Sequence, residues 1–199
     1  MSQPELTLVR HGQTEWSMSG RHTGLTDVGL TDLGKRQAEA LGGMLAGEKY
    51  DVVQSSPLSR AWLTMELAGF GGQASENSEL VEWDYGEYEG VSTAEVRREI
   101  PEWTVWTHPI SDGEALEDVG ARADRVIDDF LDHQGRILLF GHGQFLRILA
   151  ARWVGMAPSA GRRIALSTAT VSTLGWERET RVIDSWNVAC HLPSDDPLL

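Results

Sequence analysis

Leu6-Thr-Leu-Val-Arg10-His11-Gly12-Gln13-Thr14-Glu15-Trp16-Ser17 is the stretch that decides the fold. The chain passes from an apolar run directly into Arg-His-Gly and then into a polar turn. An apolar run of this length is typical of a buried strand, and in open α/β sheets functional groups lie just beyond the carboxyl ends of strands. We therefore expect His11 at a strand end, after the fixed positive charge of Arg10. Gly12 then allows backbone and ligand to approach closely.

Two further segments repeat this arrangement. Residues 137–143, ILLFGHG, place His142 after a second apolar run, and residues 51–60, DVVQSSPLSR, place Arg60 shortly after a third. A single histidine at a strand end more often has a structural role. Three strand ends that carry His, Arg and His in one sheet are harder to explain by packing alone. Because a neutral imidazole held in one tautomer is a good nucleophile toward phosphorus, the set predicts a site for a phosphorylated ligand.

Length and composition limit the class of protein. With 199 residues, 41% of them apolar and 24% charged, the chain can form one globular domain, which we expect to span residues 1–199. No apolar run approaches the roughly 20 residues that span a bilayer, and the N-terminus does not resemble a signal peptide. The single cysteine, Cys190, excludes an intramolecular disulfide and is typical of a reducing compartment. We expect a cytoplasmic protein.

The net charge of −13 argues against a nucleic-acid partner, because backbone phosphates require a basic face. It does not argue against a small phosphate ester. Charges further away than about 8 Å are largely screened at physiological salt, so a local cluster of arginine and histidine can dominate a pocket.

Short apolar strands alternate with helical segments along the chain. This alternation predicts a three-layer α/β/α fold whose mostly parallel sheet is covered on both faces, and a final hairpin should make the sheet mixed. Strands are predicted at 5–10, 51–55, 136–140, 169–175 and 181–187. Helices are predicted at 31–46, from Ser56-Pro57, from a capping box at 92–95 as far as Pro101, from a second box at 111–114, and at 143–154.

Phosphoryl transfer requires an in-line nucleophile and donors that hold the equatorial oxygens. Arg10 and Arg60 suit this role because a guanidinium offers two parallel donors and keeps its charge. Backbone amides after Pro57 and after His142 would add partial positive charge at helix starts. The hydroxyls of three residues are further candidate donors: Thr14, Ser17 and Ser56.

A general acid must also protonate the leaving alcohol. Residues 80–90, LVEWDYGEYEG, carry four carboxylates among aromatic side chains and two glycines, which indicates a folded loop with an apolar side. Spacing alone does not choose among the four, which are Glu82, Asp84, Glu87 and Glu89.

Five motifs occur in one order: RHGQTEWS at 10–17, LTDLGKRQA at 30–38, SSPLSRA at 55–61, EWDYGEYEG at 82–90 and GHG at 141–143. With them the chain resembles the histidine phosphatases, the superfamily that includes cofactor-dependent phosphoglycerate mutase. The resemblance spans residues 5 to about 150 and implies a phosphoglycerate mutase-like fold. The remaining residues fit the closing strands of the family without a diagnostic motif.

The resemblance implies roles position by position. His11 becomes the phosphorylated nucleophile, Arg10, Arg60 and His142 form the phosphate pocket, and Glu82 becomes the proton donor. Because this pocket supplies its own cations, we expect no metal and no cofactor. The substrate-binding set implied by the resemblance and by the helix-start amides is Thr14, Ser17, Arg21, Ser56, Tyr85 and Gly143.

One departure favours the phosphatase branch of the family. Mutases resemble one another in a longer insertion after the glutamate loop, whose basic residues grip a carboxylate. Here the segment 91–113 is short and places Arg97 and Arg98 in a predicted surface helix. We therefore expect a metal-independent phosphomonoesterase that acts through a phosphohistidine. The alternatives are a phosphoglycerate mutase-type phosphotransferase and a non-catalytic phosphoester-binding regulatory protein. Gln13 and Gln144 also depart from the residues common in the family.

A pocket whose cations contact only the phosphoryl group does not distinguish one phosphate ester from another. Substrate specificity must then come from the residues that line its walls. We expect these walls at 13–24, 83–90 and about 106–114, with Arg21 available for a second phosphate. Small sugar phosphates or bisphosphates are the expected substrates. The predicted partner is a small phosphorylated metabolite. We expect neither nucleic acid nor a membrane as a partner, and a homodimer is possible. The wall residues include Arg21, His22, Trp83, Tyr85 and His108, whereas His133 and His191 are expected at the surface.

Overall fold

The computed structural model describes residues 3–192 and residue 196. Its strands are Glu5–Arg10 (β1), Val52–Ser55 (β2), Ser75–Glu76 (β3), Arg136–Gly141 (β4), Val171–Glu177 (β5) and Thr180–Val188 (β6). They form one six-stranded sheet in the order β3-β2-β4-β1-β5-β6. Strands β1 to β4 are parallel, while β5 pairs antiparallel with both β1 and β6. The predicted mixed sheet with a closing hairpin is confirmed; the short, exposed β3 was not predicted because it has no apolar run.

Helices cover both faces of this sheet. Within β4, Ile137 and Leu139 pack into one apolar core, whereas Leu138 and Phe140 pack into a second core on the other face. Alternate residues of a strand point to opposite faces, so burial on both sides explains the unbroken apolar runs. Among the described residues, no helix combines the length and apolar character needed to cross a bilayer. The helices are Glu15–Ser19 (α1), Asp32–Leu45 (α2), Ser59–Leu67 (α3), Thr93–Val96 (α4), Leu116–Leu131 (α5) and Gly143–Trp153 (α6).

Two predicted helix starts are wrong. Helix α3 begins at Ser59, with Leu58 before it and no side-chain cap; the Ser56 hydroxyl accepts from the Leu58 amide at 3.3 Å and also bonds to the His142 ring. Helix α5 begins at Leu116, again without a side-chain cap; the Glu114 amide that Ser111 would cap donates to the Asp84 carbonyl, and the Glu114 carboxylate forms an ion pair with Arg122. The capping box at 92–95 is present as predicted and starts α4.

The first turn of α2 packs directly against the segment that follows β1. A Cβ atom added to Gly34 would lie 2.1 Å from the carbonyl oxygen of Gln13, and one added to Gly12 would lie 2.3 Å from the carbonyl oxygen of Gly34. Both distances are far below van der Waals contact. Two glycines therefore let α2 approach the backbone beside His11 and fix the position of that turn.

Substitution of these glycines tests the contact. We expect Gly34→Ala to lower the free energy of unfolding by about 1–3 kcal/mol, because the added methyl group forces α2 away from Gln13. Gly43 lies in the same helix with open space around its Cα. The matched change Gly43→Ala should stabilise the protein by about 0.5–1 kcal/mol through helix propensity. Urea unfolding measures both, and equal effects would contradict this account of the packing.

Candidate active site

Parallel pairing of β1 with β4 brings the two predicted histidines together. Arg10 is in register with Gly141, so His11 and His142 each follow the end of adjacent strands, with ring centroids 5.2 Å apart. Nδ1 of His11 lies 2.7 Å from the carbonyl oxygen of Gly12. Since a carbonyl only accepts, Nδ1 carries the proton and Nε2 carries the free electron pair.

Burial and nearby cations keep both imidazoles neutral. Desolvation lowers the pKa of His11 well below its usual value, and the positive charges of Arg60 and Arg10 lower it further. The same causes, burial first and then Arg60, lower the pKa of His142. A neutral imidazole with a free Nε2 is the nucleophilic form, and His11 presents this form at the end of β1.

Three buried nitrogens beside these rings have no hydrogen-bond partner among the described residues. They are Nε of Arg10, Nε of Arg60 and Nδ1 of His142. Nη1 of Arg10 donates to the Leu166 carbonyl, and both terminal nitrogens of Arg60 donate, Nη1 to the carbonyl of Thr26 and Nη2 to that of Gly24. Unpaired buried polar groups are costly, and a bound phosphate oxygen would satisfy donors of this kind.

Glu82 is the carboxylate that reaches the cavity. Its side chain is buried and accepts hydrogen bonds from the backbone amides of Trp83, Gln144 and Phe145, at 3.0, 3.0 and 2.8 Å. Two of these amides belong to the first turn of α6, where helix dipoles favour negative charge. Arg122 fixes the loop from behind by donating to the Val81 carbonyl at 2.7 Å.

The other three carboxylates of the loop do not line the cavity. Asp84 accepts from the Gly86 amide, and Glu89 accepts from the amides of Leu25 and Thr26. Glu87 is exposed. Geometry thus favours Glu82, the choice that spacing had left open.

His11 and Glu82 line a cavity of about 240 Å³, and His142 is fully buried beside His11 without lining it. Arg60 does not line it but lies fully buried, where its charge acts on both histidines. The lining residues are Arg10, His11, Ser17, Gly20, Arg21, His22, Thr23, Glu82, Tyr85, Thr93, Gly143, Gln144, Arg147 and Leu166.

Most of the predicted substrate-binding set reaches this cavity. Ser17, Arg21, Tyr85 and Gly143 line it, and Ser56 lies 2.8 Å from Nε2 of His142. Ser56 and Thr14 do not line it, and Thr14 is committed to a different contact. It is fully buried, and its hydroxyl accepts from the Ser17 amide while Oγ of Ser17 accepts from the Thr14 amide. This capping box commits Thr14 to the start of α1 and corrects the expectation that it contacts phosphate.

The predicted wall at 106–114 is also misplaced. His108 and Trp83 line a separate cavity of about 350 Å³ together with Ile110 and Glu114. The indole Nε1 of Trp83 donates to the Glu114 carbonyl at 2.7 Å, which folds this segment over Trp83. Trp83 and His108 are therefore not walls of the catalytic cavity, whereas His22 is.

The two histidines expected at the surface differ. His133 is exposed. His191 is half-buried and its Nε2 lies 2.8 Å from the Ala169 carbonyl, so its expected surface position is wrong. Turn 166–170 approaches the active-site strand closely, because the Ala169 amide donates to the carbonyl oxygens of Arg10 and His11.

Sequence reasoning missed Arg147. Its guanidinium lines the cavity from α6, four residues after Gly143. Positions i and i+4 of a helix share a face. The predicted helix 143–154 therefore already places Arg147 on the same face as Gly143.

Comparison with known proteins agrees with this geometry. Residues 6–189 match the family model described as the histidine phosphatase superfamily (branch 1). The chain belongs to this superfamily. It is 41% identical over 180 residues to an acid phosphatase of Mycobacterium tuberculosis, which covers 88% of each chain. It is 34% identical over 186 residues to sedoheptulose 1,7-bisphosphatase of Saccharomyces cerevisiae, which covers 77% of this chain and 68% of that one.

Solved structures confirm the phosphoglycerate mutase-like fold. The structure of the product of the Mycobacterium tuberculosis open reading frame Rv3214 superposes with a TM-score of 0.88 at 40% identity, covering 92% of this chain and 97% of that one. The resemblance inferred from the five motifs is thereby confirmed.

The depressed histidine pKa values make stability depend on pH. In the unfolded chain a histidine titrates near 6.5, so below that pH the unfolded state binds more protons than the folded state. Stability is fully present above pH 6.5 and is lost as pH falls below it, by up to about 1.4 kcal/mol per pH unit for each buried histidine. We expect His142→Gln to reduce this slope in urea unfolding between pH 7.5 and 5.

His133→Gln is the matched control, because His133 is exposed. Its slope should equal that of the wild type. If His142→Gln and His133→Gln give the same pH dependence, the buried neutral state of His142 is wrong.

Proposed function

We propose that this protein is a metal-independent phosphomonoesterase that hydrolyses small phosphorylated metabolites through a phosphohistidine on His11. The observation that carries the proposal is His11 itself, neutral, fixed in one tautomer and surrounded by buried cations. Family membership and the acid phosphatase relative make the protein a phosphoric monoester hydrolase. The bisphosphatase relative supports small phosphorylated substrates.

In the first half-reaction, Nε2 of His11 attacks phosphorus and the ester P–O bond breaks. The guanidinium groups of Arg10 and Arg60 offset the charge on the transferred group. Protonated Glu82 gives its proton to the departing alkoxide, so that the alcohol leaves neutral.

The second half-reaction reverses the proton transfer. Ionised Glu82 takes a proton from water, whose oxygen attacks phosphorus, and the N–P bond to His11 breaks. Inorganic phosphate leaves and Glu82 is protonated again. The three backbone amides that bind Glu82 hold its carboxyl group in place for both steps.

The structure gives the mutase alternative little support. The segment 91–113 folds as the single turn α4 followed by loops. Arg97 donates to the Trp103 carbonyl at 2.8 Å, and Arg98 is exposed. Neither lines the cavity. A binding-only role is disfavoured because Arg10, His11 and Glu82 line one cavity, with His142 and Arg60 buried next to it and acting on His11. A cytoplasmic location, suggested by the lone Cys190, and a homodimer stay predictions.

Hydrolysis of p-nitrophenyl phosphate in excess EDTA tests the proposal. We expect undiminished release of inorganic phosphate, and a loss of several orders of magnitude in kcat for His11→Ala, because both half-reactions pass through this residue. His133→Ala, at an exposed site, serves as control. Loss of activity in EDTA would contradict the metal-independent mechanism. A mutase would show little hydrolysis without a bisphosphate activator, and a binding protein would show none.

Leaving-group dependence tests Glu82. Glu82→Gln should slow an alkyl phosphate by about 10²–10⁴-fold and p-nitrophenyl phosphate much less, since p-nitrophenolate needs little protonation. The exposed Glu87 of the same loop provides the control variant Glu87→Gln, which should leave both rates unchanged. Equal losses for both substrates in Glu82→Gln would assign Glu82 a binding role instead.

A further inference from the structure

Arg147 is a cation of the catalytic cavity that the mechanism above does not use. It is half-buried, and among the described residues no carboxylate lies within ion-pair distance of it. Other arginines of this acidic chain have such a partner, for example Arg122 with Glu114 and Arg152 with Asp124. Arg147 therefore has no direct ion-pair partner at the wall of the cavity, and the charge of Glu82, which lines the same cavity, acts on it only from a distance.

Electrostatics make this arrangement costly without a ligand. Burial lowers the pKa of Arg147, while Tyr85 and Glu82 act to raise it. Burial is also the main cause of the lowered pKa of Arg10, which Glu82 acts to raise and the charge of Arg147 lowers further. Two guanidinium groups thus repel each other across one small space, with Glu82 as the only carboxylate among its lining residues. An anion placed between them would relieve both the repulsion and the desolvation.

The guanidinium of Arg147 is held in one orientation. Its Nε donates to the Gly161 carbonyl at 3.0 Å, and Nη1 donates to Oε1 of Gln144. Its Cζ lies 5.0 Å from the ring centroid of Trp106. A guanidinium packed on an aromatic ring gains a cation–π attraction, and among the described residues Nη2 of Arg147 has no hydrogen-bond partner and stays available to an anion.

Trp106 is in turn fixed by Trp83. Their ring centroids lie 5.5 Å apart with the planes nearly perpendicular, and both rings border the second cavity rather than the catalytic one. Trp106 therefore supports Arg147 from outside the cavity. This is the arrangement expected of a residue that positions a binding group without touching the substrate.

We infer that Arg147, positioned by Trp106, binds a second anionic group of the substrate, a carboxylate or a phosphate a few bonds away from the phosphoryl group that is transferred. The inference rests on the proposed function and narrows its substrate class. A cavity of about 240 Å³ equals roughly eight water volumes of about 30 Å³, which suits a dianionic metabolite with a short carbon linker. Arg21 is exposed and bonds to the Gly90 carbonyl, so the second anion is assigned to Arg147.

A matched substrate pair tests this assignment. 3-Phosphoglycerate and glycerol 3-phosphate differ in a carboxylate that replaces a hydroxymethyl group. We expect kcat/KM of the wild type to favour 3-phosphoglycerate by about 10-fold or more, the value of a charge-assisted pair. In Arg147→Gln the ratio should fall to near one. Arg162→Gln removes the same charge from an exposed site and should keep the wild-type ratio.

Variants of Trp106 test its positioning role. Trp106→Leu should lower the substrate ratio by about 2–5-fold, the range of an exposed cation–π contact, through a higher KM for 3-phosphoglycerate at unchanged kcat. Trp106→Phe retains a ring face and should restore most of the ratio. Because a ratio is independent of the amount of folded enzyme, partial unfolding of a variant does not mimic the effect.

The outcomes separate the two proposals. If the wild type hydrolyses both esters equally, or Arg147→Gln leaves the ratio unchanged, the second-anion site is wrong while the phosphatase function stands. If Trp106→Leu changes the ratio no more than Arg162→Gln does, its positioning role is wrong. If neither ester nor p-nitrophenyl phosphate is hydrolysed, the proposed function itself fails.

Discussion

The parallel pairing of β1 with β4 is the constraint on which the rest of the site depends. Their register places Arg10 beside Gly141, and the residues that follow are His11 and His142. A one-residue slip would turn alternate side chains to the opposite face and would separate the imidazoles. The register is secured by burial on both faces of the sheet, because each strand contributes side chains to both apolar cores.

Burial then determines the chemistry. An imidazole in water would be partly protonated near pH 6.5, but His11 and His142 lie beneath the surface beside fixed guanidinium charges, which keep them neutral. The same buried cations attract an anionic ester into a chain whose net charge is −13. Salt screens the field of the acidic surface residues over a short distance. The local positive charge of the cavity therefore determines which ligands bind there.

Much of this could be predicted from sequence because it is local. The apolar runs predict the strands, and His11, His142 and Arg60 follow from their place at strand ends. The choice of Glu82 needed either the family resemblance or the structure, since the four carboxylates of its loop differ only in which backbone amides surround them. Arg147 was missed although helix periodicity placed it on the right face.

Other features depend on contacts between distant segments. Thr14 and Ser17 are equivalent as hydroxyl donors in sequence, yet the capping box of α1 buries Thr14 and leaves Ser17 at the cavity. The hydrogen bond from Trp83 to Glu114 draws the 106–114 segment away from the catalytic cavity. Ser111 does not cap α5, because the Glu114 amide donates to the Asp84 carbonyl. In each case two local contacts were possible from the sequence, and tertiary packing determines which one forms.

The most direct test of the account is to trap the covalent intermediate. Rapid quench of the enzyme with a labelled phosphate ester, followed by peptide mapping, should show label that is stable in alkali, labile in acid and attached to His11. The account predicts that this label appears before inorganic phosphate and decays as phosphate is released. Label on a serine, or product release with no phosphoenzyme at the earliest times, would contradict it.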